Sequence, residues 1–288
     1  MSDAPADLRA AFLARGAEME AAYPQMFRAD WRTRAGTIGL IGGALLVYVL
    51  GLYDLEFSPS VIFHGMWRLA DIVGLMLPPS PGTWDRFLLY LDALGQTLSI
   101  ALLGTLAAAL LSVPFGFLAA RNVVANGILH VLIRRSLDTI RSIDTLIWAL
   151  IWINVVGLGP FAGALAIASS DFAAYAKLMS EAIEAADRRP VEGVAASGGG
   201  RLTAIRFGIV PQVLPILASQ VLYYFESNTR SATIIGVVGA GGIGLHLSEA
   251  IRVLEWQETS FLILMVLVTV AIIDALSGRL RGAIIGRR

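Results

Sequence analysis

The sequence has no cysteine and a single lysine, and charged residues make up only 15% of its 288 positions. The lack of cysteine excludes disulfides, thiolate metal sites and cysteine nucleophiles. Lys177 follows Ala176, so the chain has no Gly-Lys-Ser/Thr phosphate loop and does not bind ATP in that manner. Soluble domains carry about 25% charged residues, whereas this chain is 56% hydrophobic with a mean hydropathy of +0.70, which indicates a membrane protein.

Sequence motifs for chemistry are also lacking. The chain has no His-Glu-x-x-His metal motif and no Gly-x-Ser-x-Gly nucleophile motif. Its histidines, His64, His130 and His246, are too far apart in sequence to propose a metal site. The sequence therefore predicts neither an enzyme nor a bound metal or cofactor, and we expect no nucleic-acid partner.

One stretch has the spacing of a dinucleotide fingerprint, Gly-x-Gly-x-x-Gly, over residues 239–244, with Glu258 further along the chain. A dinucleotide site needs a strand, a helix and a second strand in a parallel sheet, with the acidic residue at the end of the second strand. Here Glu258 instead precedes an uncharged run of membrane-span length. We interpret the glycines as a turn at which helices approach each other closely.

Long uncharged runs divide the rest of the chain. A helix needs about 20 apolar residues to cross the hydrocarbon of a bilayer. Four runs without Asp, Glu, Lys or Arg are candidate spans: 35–53, 93–120, 207–225 and 259–273. The last span extends past Asp274 to about 277. A further run, 145–170, is interrupted by glycines and by Pro160, and it fits either one span or a hairpin with arms at 137–157 and 160–180.

The distribution of positive residues separates these two topologies, because cytoplasmic loops retain Lys and Arg. With the hairpin, 18 basic residues lie on the cytoplasmic side and four on the opposite side, whereas a single span gives 11 on each side. The sequence therefore predicts an all-α polytopic membrane protein with six transmembrane helices and both termini in the cytoplasm.

Two segments lie outside the six spans. Residues 5–23 are predicted to form an amphipathic helix on the membrane surface, within a cytoplasmic N-terminal segment at 1–34. Residues 60–77 are apolar but contain an arginine and an aspartate, so we expect an interfacial helix there. Residues 35–288 are predicted to form one transmembrane domain.

The loop between the fourth and fifth spans is long but patterned. Asp187 is placed to cap a short helix with Pro190 in its first turn. Glycines at 198–200 end that helix, and residues 201–209 are predicted to form a second helix running into Pro211. Two short helices that meet at a glycine corner make a rigid knob.

This loop resembles the cytoplasmic motif E-A-A-x-x-x-G-x(9)-I-x-L-P of the membrane subunits of bacterial ABC importers. The motif fits when it starts at Glu192, so that its glycine is Gly198 and its proline is Pro211. Four positions depart from the motif: Gly193, Val194, Gly208 and Val210. In that family the loop docks into the ATP-hydrolysing subunit, so the resemblance implies a set of coupling residues. These are Glu192, Ala195, Gly198, Gly199, Arg201 and Pro211.

Three more stretches, 96–122, 141–168 and 211–244, resemble a narrower family, the phosphonate importer permeases. Asp144 departs from the usual proline, and residues 169–178 differ from the usual glycine-rich turn. The resemblance implies a type I ABC importer permease fold in the bacterial inner membrane and a homodimer with two ATP-binding subunits. It also implies substrate delivery by a periplasmic binding protein. The expected cargo is phosphonate or a related phosphorus oxyanion, and ABC import of another small solute and ion-coupled secondary transport remain alternatives.

Span five carries polar residues at intervals of four and three, which place them on one helical face. They are Ser219, Tyr223, Glu226, Arg230 and Thr233. Glu226 and Arg230 are also spaced to form an ion pair. Charged groups at membrane depth usually face a bundle interior or a water-filled cavity. This polar stripe therefore either lines a translocation path, with Arg230 attracting an anion, or forms a seam at the dimer interface.

Overall fold

The structure, a computed structural model, describes residues 15–16, 21, 31–124 and 126–285. All the regular elements in these residues are helical, which confirms the predicted all-α class. The helices are α1 (Trp31–Asp54), α2 (Pro59–Leu75), α3 (Trp84–Ala119), α4 (Gly127–Arg141), α5 (Thr145–Val156), α6 (Pro160–Glu184), α7 (Arg188–Ala196), α8 (Arg201–Ala204), α9 (Val210–Ile235), α10 (Ile243–Arg252) and α11 (Trp256–Ile285). Two π-helical turns flank α9, at Ile205–Ile209 and Gly236–Ala240.

The chain divides into two compact units, residues 1–70 and 71–288. The first unit contains α1 and most of α2, and α2 confirms that residues 60–77 are largely helical. The amphipathic helix predicted at 5–23 lies outside the described residues except at positions 15, 16 and 21. All the sites described below lie in the second unit.

Four helical segments are long and apolar enough to cross a membrane: 35–54, 84–119, 201–240 and 256–284. The bent pair of α4 and α5 makes a fifth if it counts as one span, so the predicted count of six is not reached on length and apolarity. The difference is α6, whose 25 residues are long enough but include several charged side chains. About half of the α6 residues are buried, and α6 packs against α3, α4, α5 and α9. A helix surrounded by protein can carry charged groups that a lipid-facing helix cannot.

The chain folds back at the predicted glycine-proline break. Gly157 and Gly159 have φ values of 91° and 138°, a region of backbone conformation that favours glycine. Pro160 begins α6, where its missing N–H leaves no hydrogen bond unmade. α5 then packs along α6, with the indole N–H of Trp152 donating to Ser169 Oγ at 2.9 Å. The two helices form the hairpin favoured by the charge distribution.

The first arm of this hairpin differs from its prediction as a continuous helix over 137–157. α4 ends at Arg141 and α5 begins at Thr145, and the two helices are bent by 85°. Asp144 starts the new helix, because its Oδ1 accepts the backbone N–H of Leu146 at 2.8 Å. With 12 residues, α5 is about 18 Å long, which is too short to cross a bilayer alone.

Small residues allow a close and extensive helix contact between α3 and α6. A Cβ atom on Gly104 would lie 2.7 Å from the Cβ of Ile167, and one on Gly116 would lie 2.7 Å from the Cγ of Met179. Small residues let helix backbones approach closely, so that van der Waals packing holds them together in a membrane. The α3–α6 pair is therefore a fixed framework for the neighbouring helices.

The glycine-rich stretch at 239–244 forms a turn between helices, as predicted. The β-branched run before it belongs to α9 and its π-helical turn rather than to a strand. Gly241 and Gly242 have φ values of 80° and 73°, and the N–H of Ile243 donates to Thr97 Oγ1 at 2.8 Å. This local structure is not the strand-helix-strand unit of a dinucleotide site.

Candidate functional site

The first candidate site is the loop at 187–211, which we call the knob. Asp187 Oδ1 accepts the backbone N–H of Arg189 at 3.0 Å and caps α7, as predicted. α7 ends at Ala196, and Gly198 then reverses the chain with a φ of 84°. The predicted cap, first helix and glycine corner are therefore confirmed.

The second helix of the knob runs into Pro211 as predicted, but it does not end there. α8 continues through the π-helical turn at Ile205–Ile209 directly into α9. In this turn the N–H of Val210 donates to the carbonyl of Ile205, one residue further back than in an α-helix. Pro211 lies in the first turn of α9, where a proline is tolerated. The knob is thus continuous with the membrane helix that follows it.

Side chains at the base of the knob fix its two halves together. The amide of Gln212 donates to the carbonyls of Asp187 at 3.1 Å and Gly208 at 2.6 Å, and its Oε1 accepts the N–H of Asp187 at 3.0 Å. A Cβ atom on Gly208 would lie 3.0 Å from the Cα of Val191. This close contact explains why glycine replaces the isoleucine of the importer motif at this position.

The predicted coupling residues lie on the surface of the knob. Five of them are exposed: Glu192, Ala195, Gly198, Arg201 and Pro211. Gly199 is half-buried against Val194. The structure adds two apolar side chains that the motif did not indicate, Leu202 and Phe207, which are 83% and 59% exposed. Their sequence signal is that each directly follows an arginine, Arg201 or Arg206, in the loop predicted between the fourth and fifth spans.

The second candidate site is the polar stripe of span five, of which the structure brings three members together. Glu226, which is 9% exposed, accepts from Arg230 at 3.5 Å, as its spacing predicts. It also accepts from Arg281 of α11 at 3.2 Å. The Arg281 guanidinium lies 5.9 Å from the centre of the Tyr223 ring. We call these four residues the arginine cluster.

The other two members of the stripe lie apart from this cluster. Thr233 is buried, and its hydroxyl donates to the carbonyl of Thr229 within α9 at 3.2 Å. Ser219 is half-buried, two turns before Glu226. Of the five residues that spacing places on one face, only Tyr223, Glu226 and Arg230 therefore belong to the arginine cluster. Arg281 was missed, because a contact across 55 residues leaves no trace in the periodicity of one helix.

A buried polar network lies on another face of α9, which sequence reasoning also missed. Asn228 Nδ2 donates to Asp171 Oδ2 of α6 at 2.5 Å and to Thr105 Oγ1 of α3 at 2.9 Å. All three residues are less than 10% exposed. Side chains two positions apart in an α-helix point about 200° away from each other around the helix axis, so Asn228 faces away from Glu226. Asp171 thus lies inside the bundle, where its hydrogen bond with Asn228 joins α6 to α9.

Packed helices, a polar seam and a projecting knob are the parts of a multi-pass membrane transport subunit. The sequence profile of the family described as binding-protein-dependent transport system inner membrane component matches residues 112–287. The chain belongs to this family. It is therefore a transport subunit of the inner membrane rather than an enzyme, and it works with an ATP-binding subunit and a substrate-binding protein.

Two relatives share much of the sequence. The chain is 37% identical over 238 residues to the putative phosphite transport system permease protein HtxC of Stutzerimonas stutzeri, covering 83% of each chain. It is 54% identical over 105 residues to a putative cryptic phosphonate transport system permease protein of Escherichia coli (strain K12). That match covers 36% of this chain and 86% of the relative.

The fold is also found among solved structures. An inward-facing structure of the MetNI methionine ABC transporter matches with a TM-score of 0.62 and 18% sequence identity. The match covers 70% of this chain and 99% of the solved one. At this identity the likeness shows the fold, which is that of an ABC importer permease as predicted.

Proposed function

We propose that the chain is the permease of an importer for phosphonate or a related phosphorus oxyanion such as phosphite. The observation that carries this proposal is the similarity to relatives named for phosphite and for phosphonate transport. The arginine cluster supports it, because two guanidiniums face one carboxylate and leave a positive charge at membrane depth. Such a charge favours an anionic cargo.

The translocation path follows the exposed part of the polar stripe in this proposal. Arg230 and Tyr223 are exposed beside the buried Glu226. The carboxylate holds both guanidiniums in place when no anion is bound. An entering oxyanion then accepts hydrogen bonds from Arg230, since guanidinium groups bind such oxygens in a bidentate manner. In the alternative arrangement, a second copy of the chain covers the polar stripe at the dimer interface.

The proposed assembly is a homodimer with two ATP-binding subunits and a periplasmic binding protein, and both termini lie in the cytoplasm. Each knob docks into one ATP-binding subunit through the exposed coupling residues. The exposed Leu202 and Phe207 support this, because a partner surface is the usual cover for apolar side chains on a polar element. The knob is continuous with α9, and this continuity links the docked subunit to the arginine cluster.

A direct uptake measurement tests the cargo. The chain is expressed with its ATP-binding and substrate-binding partners in cells that lack their own uptake systems for phosphorus oxyanions. Radiolabelled phosphite, methylphosphonate and phosphate are then offered separately. We expect saturable uptake of phosphite or methylphosphonate, competed by the unlabelled compound. If neither compound is taken up or competes, the proposed cargo is wrong and another small solute must be sought.

The energy source is tested in the same cells. Replacing the phosphate-loop lysine of the partner ATP-binding subunit should abolish uptake while leaving the amount of permease in the membrane unchanged. Uptake that survives this replacement but collapses with a protonophore would instead establish ion-coupled secondary transport.

A further inference from the structure

A basic pocket of about 220 Å³ lies between α4 and α6, apart from both the knob and the arginine cluster. Four cationic side chains line it: Arg121, Arg134, Arg135 and Lys177. His130 and two carboxylates, Asp138 and Glu181, complete its polar lining. Neither the importer motif nor the polar stripe includes any of these residues.

The ion pairs around this pocket leave one cation without a carboxylate. Asp138 accepts a hydrogen bond from Lys177 at 2.6 Å and forms an ion pair with Arg135 at 3.6 Å, and Arg134 pairs with Glu184 at 3.4 Å. Glu181 is exposed. In the part of the chain that the structure describes, the Arg121 guanidinium has no carboxylate within 4.0 Å. The four cations therefore exceed the three carboxylates, Asp138, Glu181 and Glu184, by one charge, and the backbone N–H of Arg121 donates to Glu184 Oε1 at 2.9 Å.

Two buried donors at the pocket also lack acceptors. His130 is 5% exposed, and its Nε2 lies 3.1 Å from Arg121 Nε. Because the arginine can only donate, His130 Nε2 accepts and the imidazole proton resides on Nδ1. Among the described residues, neither His130 Nδ1 nor Arg134 Nε has a hydrogen-bond partner. Buried donors without partners are costly, and both of these belong to residues that line the pocket.

The helix that carries this pocket is amphipathic. Its exposed side chains Ile128, Val131 and Leu132 are apolar, with exposed fractions of 82%, 56% and 64%. α4 is bent by 85° from α5, so it runs nearly parallel to the membrane if α5 enters the bilayer. An amphipathic helix in this orientation places its basic residues at the level of the lipid headgroups.

We propose that this pocket binds a phosphate-type oxyanion, with Arg121 and Arg134 donating to its oxygens. Guanidinium groups bind phosphate oxygens through paired, charge-assisted hydrogen bonds. Two sources supply this chemistry: the phosphodiester of an anionic lipid headgroup, or free inorganic phosphate. The site does not depend on which cargo the permease carries.

Binding measurements on the full-length protein test the site and separate the two sources. In the lipid arm, native mass spectrometry of the detergent-solubilised protein follows the retention of added phosphatidylglycerol, with phosphatidylcholine as the neutral comparison. In the phosphate arm, the unfolding temperature is measured with inorganic phosphate and with chloride at equal ionic strength. The variants are Arg121→Gln, Arg121→Lys and, as a charge-matched control, Arg279→Gln, which is exposed on α11.

We expect Arg121→Gln to weaken the binding of phosphatidylglycerol or of inorganic phosphate, whichever the unchanged protein binds, roughly tenfold, since one charge-assisted hydrogen bond is lost. Arg121→Lys should retain part of the binding, and Arg279→Gln should match the unchanged protein. A response in the lipid arm identifies a headgroup, and a response in the phosphate arm identifies free phosphate. If Arg121→Gln unfolds, Arg134→Gln replaces it. Equal binding by the pocket variant and the control in both arms would overturn the proposal.

Discussion

The side-chain amide of Asn228 in α9 joins three helices of the bundle, because it bonds to α6 and to α3. It holds the buried carboxyl of Asp171 and the hydroxyl of Thr105, and an apolar replacement leaves both without this donor. We expect Asn228→Ala to lower the free energy of unfolding by about 1–2 kcal/mol. Thermal unfolding in detergent, followed by circular dichroism, measures the loss.

The pairing itself is tested by a double-mutant cycle. Asp171→Ala combined with Asn228→Ala should cost less than the sum of the two single changes, because the second change breaks a bond that is already gone. Asn154→Ala is the control, since the exposed Asn154 bonds only to the carbonyl of Leu150 in its own helix. Strict additivity of the two buried changes would show that the residues do not interact.

Single cysteines test whether the polar stripe lines a path, and the cysteine-free chain makes this simple. If the stripe is a path, a membrane-impermeant thiol reagent should modify cysteine at positions 223 and 230, which are exposed, in at least one nucleotide state. Cysteine at position 229 is the control, because Thr229 is 2% exposed. If neither exposed position reacts with the reagent in any nucleotide state, the stripe is better explained as a dimer interface, and the hypothesis of a translocation path is wrong.

Sequence reasoning reached only part of this residue-scale chemistry. The pair of Glu226 and Arg230 followed from helical spacing, since four residues bring side chains to one face. Its third member, Arg281, and the bond of Asn228 to Asp171 join residues more than 50 positions apart. Such contacts depend on how helices pack, which no local pattern encodes.

On the scale of single elements, the corner of the knob is its most sensitive point. Gly198 has a φ of 84°, whereas Gly200 has a φ of −69°, and a Cβ on either would meet no atom within 4 Å. Only the first position therefore imposes a conformational cost on other residues, about 1–2 kcal/mol for an L-residue. We expect Gly198→Val to abolish uptake and Gly200→Ala to preserve it.

Uptake assays with immunoblots of the membrane fraction measure this difference. Equal membrane levels of both variants are needed, because the change should affect docking rather than insertion. Co-purification of the ATP-binding subunit reports the docking step directly. Normal uptake and co-purification by Gly198→Val would remove the knob from the coupling mechanism.

Local signals predicted most element boundaries but not how elements join. Asp187, Gly157 and Gly159 marked a cap and breaks that the structure confirms. The helix predicted at 201–209 continues past Pro211 into α9, which the sequence did not indicate, because a proline in a first turn and one that ends a helix have the same local sequence. Asp144 was noted as a departure from the permease pattern, and its capping role emerged only with the bend.

At the scale of the whole molecule, the orientation of the chain rests on its positive charges, of which 18 lie on the predicted cytoplasmic side. A reporter that is active only in the periplasm, fused after Ser197, should therefore be inactive. A fusion after Leu254, in the loop between α10 and α11, is the matched control and should be active. The reverse pattern would place the knob in the periplasm and separate it from any ATP-binding subunit.

Hydropathy predicted the helices whose side chains face lipid, because such helices must be apolar. Helices such as α3 and α11 contain apolar stretches long enough to cross a membrane. The central helix α6 is hidden from lipid by its neighbours, so its composition follows packing and polar contacts instead. This is why the charge distribution, rather than hydropathy, supported a helix there.

The unbroken helical run from α8 into α9 acts mechanically as a lever. Arg201 and Glu226 are 25 residues apart along it, which is about 38 Å at 1.5 Å per residue. A tilt of about 5° applied at the outer end would displace the inner end by about 3 Å, comparable to the length of one hydrogen bond. If the knob docks as proposed, a small movement of the ATP-binding subunit would be enough to break and remake the contacts that hold the two arginines.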